Sequence, residues 1–267
     1  MSQIFDLCTQ TMPLLLITHP FAEASFGLWQ IAEPETFFRI DLPLSAQEES
    51  DLAKHHNPVR RLEWLAGRWL LHKLTDAPQR LPVAKDAFSK PFFPENKHLA
   101  CSLSHSKGTV GALIVALSPP VWANGETTQI SVSSNQVNGS ETTPSLKAGR
   151  CGVGCDIQVL TEKMLRIAHK FLNEPEKSYV ESRPKAEYLD LLHLFWTAKE
   201  SLYKAYGLKE LDFRKNIFVE NIQWDGLIGE GTGRVEKGDS RLSFRLVFSK
   251  MEVFEGTELI WAVCEEA

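Results

Sequence analysis

The sequence has no apolar run long enough to cross a bilayer. Its first apolar stretch, MPLLLI, is short and has no basic residue before it, so neither a membrane span nor a secretory leader is expected. Positive charge is not in excess either: 29 Lys and Arg stand against 34 Asp and Glu, a net charge of −5. That balance argues against a molecule built as a whole to coat nucleic acid or an anionic membrane, though it allows a local basic patch. Cysteine is sparse and odd in number. Of Cys8, Cys101, Cys151, Cys155 and Cys264, only Cys151 and Cys155 are close in sequence, and they lack the second close pair that a structural zinc site needs. Reduced thiols and a soluble cytoplasmic protein are the expectation, with no nucleic-acid or membrane partner.

What is present is ordinary globular composition, 43% hydrophobic and 24% charged over 267 residues, enough to bury a sizeable core. Residues 121–150 are rich in Ser, Thr, Asn, Gln and Gly with little apolar periodicity and read as a polar linker or long loop. They divide the chain into an N-terminal half, 1–120, and a C-terminal half, 151–267. In the first, Ser45 with Glu48 forms a capping-box pattern, and Asn57-Pro58 opens a longer helix with Leu62, Leu65, Ala66, Trp69 and Leu70 on its buried face. Arg61, Trp64 and Arg68 fall on a second stripe of that helix. ACSLS and GTVGALIVALS read as a hairpin turning at Ser106, Lys107 and Gly108. In the second half CGVGCDIQVL reads as a strand, Asn173 and Glu176 cap a helix, a long helix runs over 186–206, and four alternating segments follow as strands. Helices followed by strands, twice over, predict an α+β fold with an internal duplication.

On the long helix Glu200 and Lys204 are spaced for a routine ion pair, worth about half a kcal/mol. Asp156 changes the odds. It sits mid-strand among apolar neighbours, where a carboxylate needs a partner, and Gly152 and Gly154 before it permit close approach of a backbone or ligand. Asp156 with Glu200 would supply two hard oxygen ligands, the usual protein share of a magnesium site, and Gln158, on the same strand face, a neutral third.

GCDIQ followed by FWTAKESLYKAYG resembles the paired signature of 4'-phosphopantetheinyl transferases, supported by SKPFF (Ser89 to Phe93), CSLSHS (Cys101 to Ser106) and RRLEWLAGRWLLHKL (Arg60 to Leu74). The resemblance, to the larger two-half (Sfp-type) members, runs over residues 43–218. It implies two similar α+β halves forming an intramolecular pseudo-dimer, with coenzyme A bound in the cleft between them, and so a monomer. It also implies the reaction: a serine hydroxyl of an acyl or peptidyl carrier protein attacks the pyrophosphate of coenzyme A, takes the phosphopantetheine arm and releases adenosine 3',5'-bisphosphate.

Carried onto this chain, Asp156 and Glu200 become magnesium ligands, and Lys204 turns its ammonium to the pyrophosphate. Glu200 or a water on the metal takes the serine proton. Lys90 meets a coenzyme A phosphate beside Pro91, and Ser104 and a protonated His105 hydrogen-bond phosphate oxygens. Arg68 and, less directly matched, Arg61 reach the 3'-phosphate. Lys199 is expected to meet phosphate or solvent. Gln158 departs from the glutamate that many members carry, which puts its ligand role in doubt. An acidic carrier would need a basic surface, for which Lys163, Arg166 and Lys170 in KMLRIAHK are the candidates. Two other readings compete: a metal-dependent phosphohydrolase of a nucleotide, disfavoured because no further acidic cluster offers a second metal site, and a non-catalytic carrier-binding homologue.

Overall fold

A computed structural model describes residues 14–75, 77–117, 152–254 and 256–267; the linker expected over 121–150 lies outside the described residues, as do Cys8 and Cys151. The chain forms two sheet-containing halves of mixed α and β structure, as the pseudo-dimer expectation requires. In the first, β1 (Leu14–Thr18) and β2 (Ala24–Gln30) precede α1 (Glu35–Asp41), α2 (Ala46–Ala53) and α3 (Pro58–Leu74). The short strands β3 (Ala84–Lys85) and β4 (Pro91–Phe92) pair with each other, and β5 (Leu99–Ser106) and β6 (Thr109–Ala116) complete a four-stranded sheet ordered β1-β2-β6-β5. The second half contains β7 (Val153–Val159), α4 (Lys163–Ile167), α5 (Glu174–Glu181), α6 (Tyr188–Tyr206), β8 (Ile217–Trp224), β9 (Ile228–Lys237), β10 (Ser240–Phe254) and β11 (Thr257–Glu266). Its sheet is ordered β7-β11-β10-β9-β8.

Local chemistry accounts for most boundaries. Both capping boxes form, Ser45 with Glu48 and Asn173 with Glu176, and Asn57 accepts from the Val59 and Arg60 amides ahead of α3. The β5–β6 turn is narrower than expected: Ser106 pairs with Thr109 in the ladder, so Lys107 and Gly108 alone turn the chain, both at positive φ. The helices-then-strands order also needs correcting: among the described residues the first half opens on β1–β2, and the strand expected at CGVGCDIQVL, β7, opens the second.

Strand alternation sorts the core into three layers. Val110, Ala112 and Ile114 of β6 face α3, while Leu113 and Val115 face the other way. Likewise Ile260, Ala262 and Cys264 of β11 pack under α6, and Leu259, Trp261 and Val263 turn to the opposite side. The outward faces meet: Phe26, Leu28, Leu113 and Val115 from one sheet join Cys155, Ile157, Val159 and Trp261 from the other in a shared apolar cluster. The halves are therefore held by a core of their own.

Gly154 lets α6 lie directly on β7. A Cβ there would stand 1.9 Å from the Ser201 carbonyl oxygen and 2.9 Å from the Ala205 nitrogen, both backbone atoms that cannot swing aside. Gly154→Ala is expected to push the helix off the strand and destabilise the protein by about 3 kcal/mol; an unchanged melting temperature would refute the contact.

A second tie comes from His193, buried on α6. The Thr161 amide donates to its Nε2 at 3.0 Å, which leaves Nδ1 as the protonated nitrogen, donating to the Leu189 carbonyl at 2.7 Å. Burial lowers its pKa below the ordinary value, against the pull of the Leu189 carbonyl. The unfolded chain therefore takes up this proton first, and stability is lost as pH falls below about 6.5, by up to about 1.4 kcal/mol per pH unit. His193→Gln is expected to flatten that part of the stability-versus-pH curve. Parallel curves for the two proteins would rule the assignment out.

Candidate functional site

β5 and β7 are the facing edges of the two sheets. The Cys155, Ile157 and Val159 amides donate to the hydroxyls of Ser102, Ser104 and Ser106 at 3.0, 3.2 and 3.1 Å. Each pair is 53 positions apart, a constant offset that makes the strands run parallel. Three serines at strand spacing thus replace backbone acceptors along the seam between halves.

At the middle of this seam lies Asp156. Its neighbours on β7 turn into the shared core, and its own side chain turns toward α6. Its Oδ1 accepts from the Ser104 hydroxyl at 2.6 Å and from Lys204 Nζ at 2.8 Å. Lys204 also donates to the carbonyls of Leu103 and Cys155, so one ammonium grips strands of both halves. Burial works against that charge, but Asp156, Cys155 and Glu200 outweigh it and hold the Lys204 pKa above the usual lysine value. The routine Glu200–Lys204 ion pair therefore does not form; Lys204 pairs with Asp156 instead.

Glu200 stands one turn before Lys204, half-buried. Its carboxyl is pushed up to about 7, first by burial and then by the Asp156 charge, with Lys204 pulling the other way. Two carboxylates are thus brought into mutual influence in a poorly hydrated place with one ammonium between their needs. No group of three or more His, Cys, Asp or Glu side chains suited to a metal occurs among the described residues. A pair of carboxylates is what magnesium asks of a protein when substrate phosphates complete its shell, and a cation would relieve the strain on Glu200. The residues present fit such an ion. Gln158 shares the strand face, but its Nε2 donates to the Val159 carbonyl at 3.2 Å rather than joining the pair.

The phosphate-side candidates divide. Lys90 crosses from the first half to the C-terminal end of α6, donating to the Ala205 carbonyl at 2.8 Å, and lies beside Gly207, the left-handed cap of that helix. Pro91 follows as the first residue of β4. His105 does not present a ready cation: Arg60 Nη1 lies 2.8 Å from its Nδ1, Glu63 3.3 Å away, and burial lowers its pKa, with Arg60 adding to the effect and Glu63 opposing it. The Ser104 hydroxyl gives its proton to Asp156 and accepts from the Ile157 amide. The Arg61–Arg68 stripe splits. Arg61 is bound to Glu35 at 2.6 Å and to the Leu52 carbonyl. Arg68 is buried, 3.4 Å over the Trp64 ring, its pKa pushed down to about 10 by burial despite Glu48 nearby.

Lys199 needs the plainest correction. It is fully buried and donates to the carbonyls of Phe171, Phe213 and Ile217 while pairing with Glu176 at 2.7 Å. It meets neither solvent nor phosphate. Glu63, buried between Arg60 and His105, was not singled out in the sequence; its only signal is a carboxylate one residue from Trp64 on a helix otherwise turned to the core. A cavity of about 800 Å³ is lined by β1 and β8–β11 residues such as Leu16, Trp224, Met251 and Trp261, and none of the candidate site residues lines it.

The family model for the 4'-phosphopantetheinyl transferase superfamily matches residues 152–254, and the model for the 4'-phosphopantetheinyl transferase N-terminal domain matches residues 48–115. The chain belongs to the 4'-phosphopantetheinyl transferase superfamily. The two matches together span more than half of it, and the serine seam joins one to the other. Asp156, Gln158, Glu200 and Lys204 lie in the superfamily match, and Arg61, Arg68, Lys90, Pro91, Ser104 and His105 in the N-terminal one. A phosphopantetheinyl transferase moves a phosphopantetheine group, and this chain is a transferase of that kind. No curated protein matches it. No described helix is long and apolar enough to cross a membrane.

Proposed function

We propose that this phosphopantetheinyl transferase, acting as a cytoplasmic monomer, moves the 4'-phosphopantetheine arm of coenzyme A to a serine hydroxyl of an acidic acyl or peptidyl carrier protein. The observation that carries the reading is the convergence of Asp156, Glu200 and Lys204 where the strand edges of the two halves meet. The serine oxygen forms a bond to the phosphorus bearing pantetheine, the bond from that phosphorus to the bridging oxygen breaks, and adenosine 3',5'-bisphosphate leaves.

Asp156 and Glu200 would hold magnesium, which when bound supplies positive charge against the pyrophosphate. Lys204 adds a fixed ammonium at the same place, held by Asp156 and two carbonyls so that little reorganisation accompanies the reaction. Glu200, or a water beside it, accepts the serine proton. Lys90, placed at the end of α6 beside Pro91, contributes a second cation, and His105 stands on the first-half side within electrostatic reach of Lys204 and Asp156, whereas Arg68, buried over Trp64, would have to turn outward to reach a 3'-phosphate. Lys163, Arg166 and Lys170 are exposed, but α4 ends at Ile167 and a 3-10 turn follows, so they form a basic patch rather than one helical stripe. Arg166→Glu with Lys170→Glu is expected to raise KM for carrier and leave KM for coenzyme A unchanged; equal effects on both would discard the patch.

The test is to incubate the protein with magnesium, coenzyme A and an apo carrier protein and weigh the carrier. A gain of one phosphopantetheine arm is expected. Coenzyme A cleavage with unmodified carrier, or binding without either, would overturn the proposal.

A further inference from the structure

Asp156 is a carboxylate of one half whose orientation is set from the other. The geometry points to Ser104 as the positioning residue of the site: its hydroxyl, fixed on β5 by the Ile157 amide, donates to Asp156 Oδ1 and turns that carboxylate for cation binding. This rests on the proposed function.

Three observations converge on it. Ser104 and Asp156 are both buried, and their 2.6 Å bond is short, as expected for a hydroxyl donating to a charged acceptor. The hydroxyl is used in both directions, accepting from Ile157 at 3.2 Å while donating, so its own rotation is fixed. Finally, Ser104 and Lys204 both bind Oδ1, and no hydrogen bond from the described residues reaches Oδ2. Pinning one oxygen through two donors leaves the other available to a ligand in a defined direction, the arrangement by which outer hydrogen bonds orient metal ligands. Ser102 and Ser106 belong to the same seam yet touch no carboxylate. They serve as internal controls, since a role in merely joining the halves is common to all three.

The assignment also differs from a phosphate contact. A serine that binds coenzyme A phosphate should matter for coenzyme A binding without metal, whereas one that orients Asp156 should matter only when a cation is bound.

The experiment compares wild type with Ser104→Ala, Ser104→Thr, Ser102→Ala and Ser106→Ala, each first checked for folding by thermal melting. Manganese is the probe: free Mn²⁺ is counted by its electron-spin resonance in the presence of coenzyme A, and coenzyme A binding alone is followed by calorimetry. Ser104→Ala is expected to weaken Mn²⁺ binding by about 10- to 100-fold. Ser104→Thr should return it to within about threefold of wild type. Ser102→Ala and Ser106→Ala should leave it within the same range, and metal-free coenzyme A affinity should be constant across the set. Should Ser104→Ala not fold, Ser104→Cys, which keeps the volume but donates weakly, is read by the same criterion. Equal Mn²⁺ affinities for all three serine-to-alanine variants, or weakened metal-free coenzyme A binding in Ser104→Ala, would overturn the assignment while leaving the proposed function intact. A wild type that binds no Mn²⁺ with coenzyme A present would overturn both.

Discussion

Glu200→Gln is expected to lower phosphopantetheine transfer by about 10³-fold and, at pH 8, to make the metal-free protein more stable than wild type. The two effects share one cause. Burial and the neighbouring Asp156 raise the Glu200 carboxyl to about 7 from an ordinary value of 4.5. Between those values the unfolded carboxyl is ionised while the folded one keeps its proton, so the folded state binds more protons and its stability falls as pH rises. Above pH 7 both are ionised and the full penalty remains. Glutamine has the same shape without the charge, so its advantage is present at pH 8 and vanishes near pH 4, where wild type carries a protonated Glu200. A group that destabilises its own fold and is nonetheless indispensable to turnover is the mark of a functional site. Melting both proteins at pH 8 and pH 4, beside a carrier-modification assay, checks each half. Transfer within tenfold of wild type would remove Glu200 from the machinery.

Local patterns carried the fold a long way. Ser45–Glu48, Asn57–Pro58 and Asn173–Glu176 located three helix starts, because a cap is a contact among neighbours in sequence. Leu191, Leu194, Phe195, Ala198, Leu202 and Ala205 are all buried, as their spacing on α6 required. Asp156 was legible for a related reason: a carboxylate among apolar strand residues has few tolerable explanations, and here its partners are Lys204 and Ser104.

The failures were those of long-range pairing. The capture of Arg61 by Glu35, 26 positions away, is invisible to helical periodicity, which assigns a face but no partner. The serine seam is visible as S-x-S-x-S, yet its meaning depends on two sheet edges meeting, and nothing near Ser104 in sequence announces Asp156. Helical spacing offers Lys204 only Glu200 as a partner, whereas the carboxylate across the seam, Asp156, is the one it binds. Lys199 failed for a different reason. Lysine is assumed exposed, although this one lies four residues after Phe195 and three before Leu202, on the buried stripe.

The buried Lys199 gives the second large effect. Lys199→Met keeps much of the side-chain volume and removes the ammonium, leaving the carbonyls of Phe171, Phe213 and Ile217 without their donor and the Glu176 carboxylate without its cation. Burial pushes Glu176 above and Lys199 below their ordinary values, and each partner counteracts this in the other. Glu176 is further engaged by the Asn173 and Val219 amides, so the cluster ties α5, α6, β8 and the segment before α5 together. Breaking one side of such a buried pair costs about 3–5 kcal/mol, or about 10 °C in melting temperature for a chain of this size. Glu176→Gln combined with Lys199→Met should cost less than Lys199→Met alone, because the stranded charge leaves with its partner. A surface or phosphate-binding lysine would behave oppositely, with KM for coenzyme A raised, melting unchanged and no coupling to Glu176. Since Lys199 precedes Glu200 on the same turn, its anchoring of α6 sets the rotation that turns Glu200 and Lys204 toward Asp156. Any activity surviving in the methionine variant should therefore fall in kcat before KM.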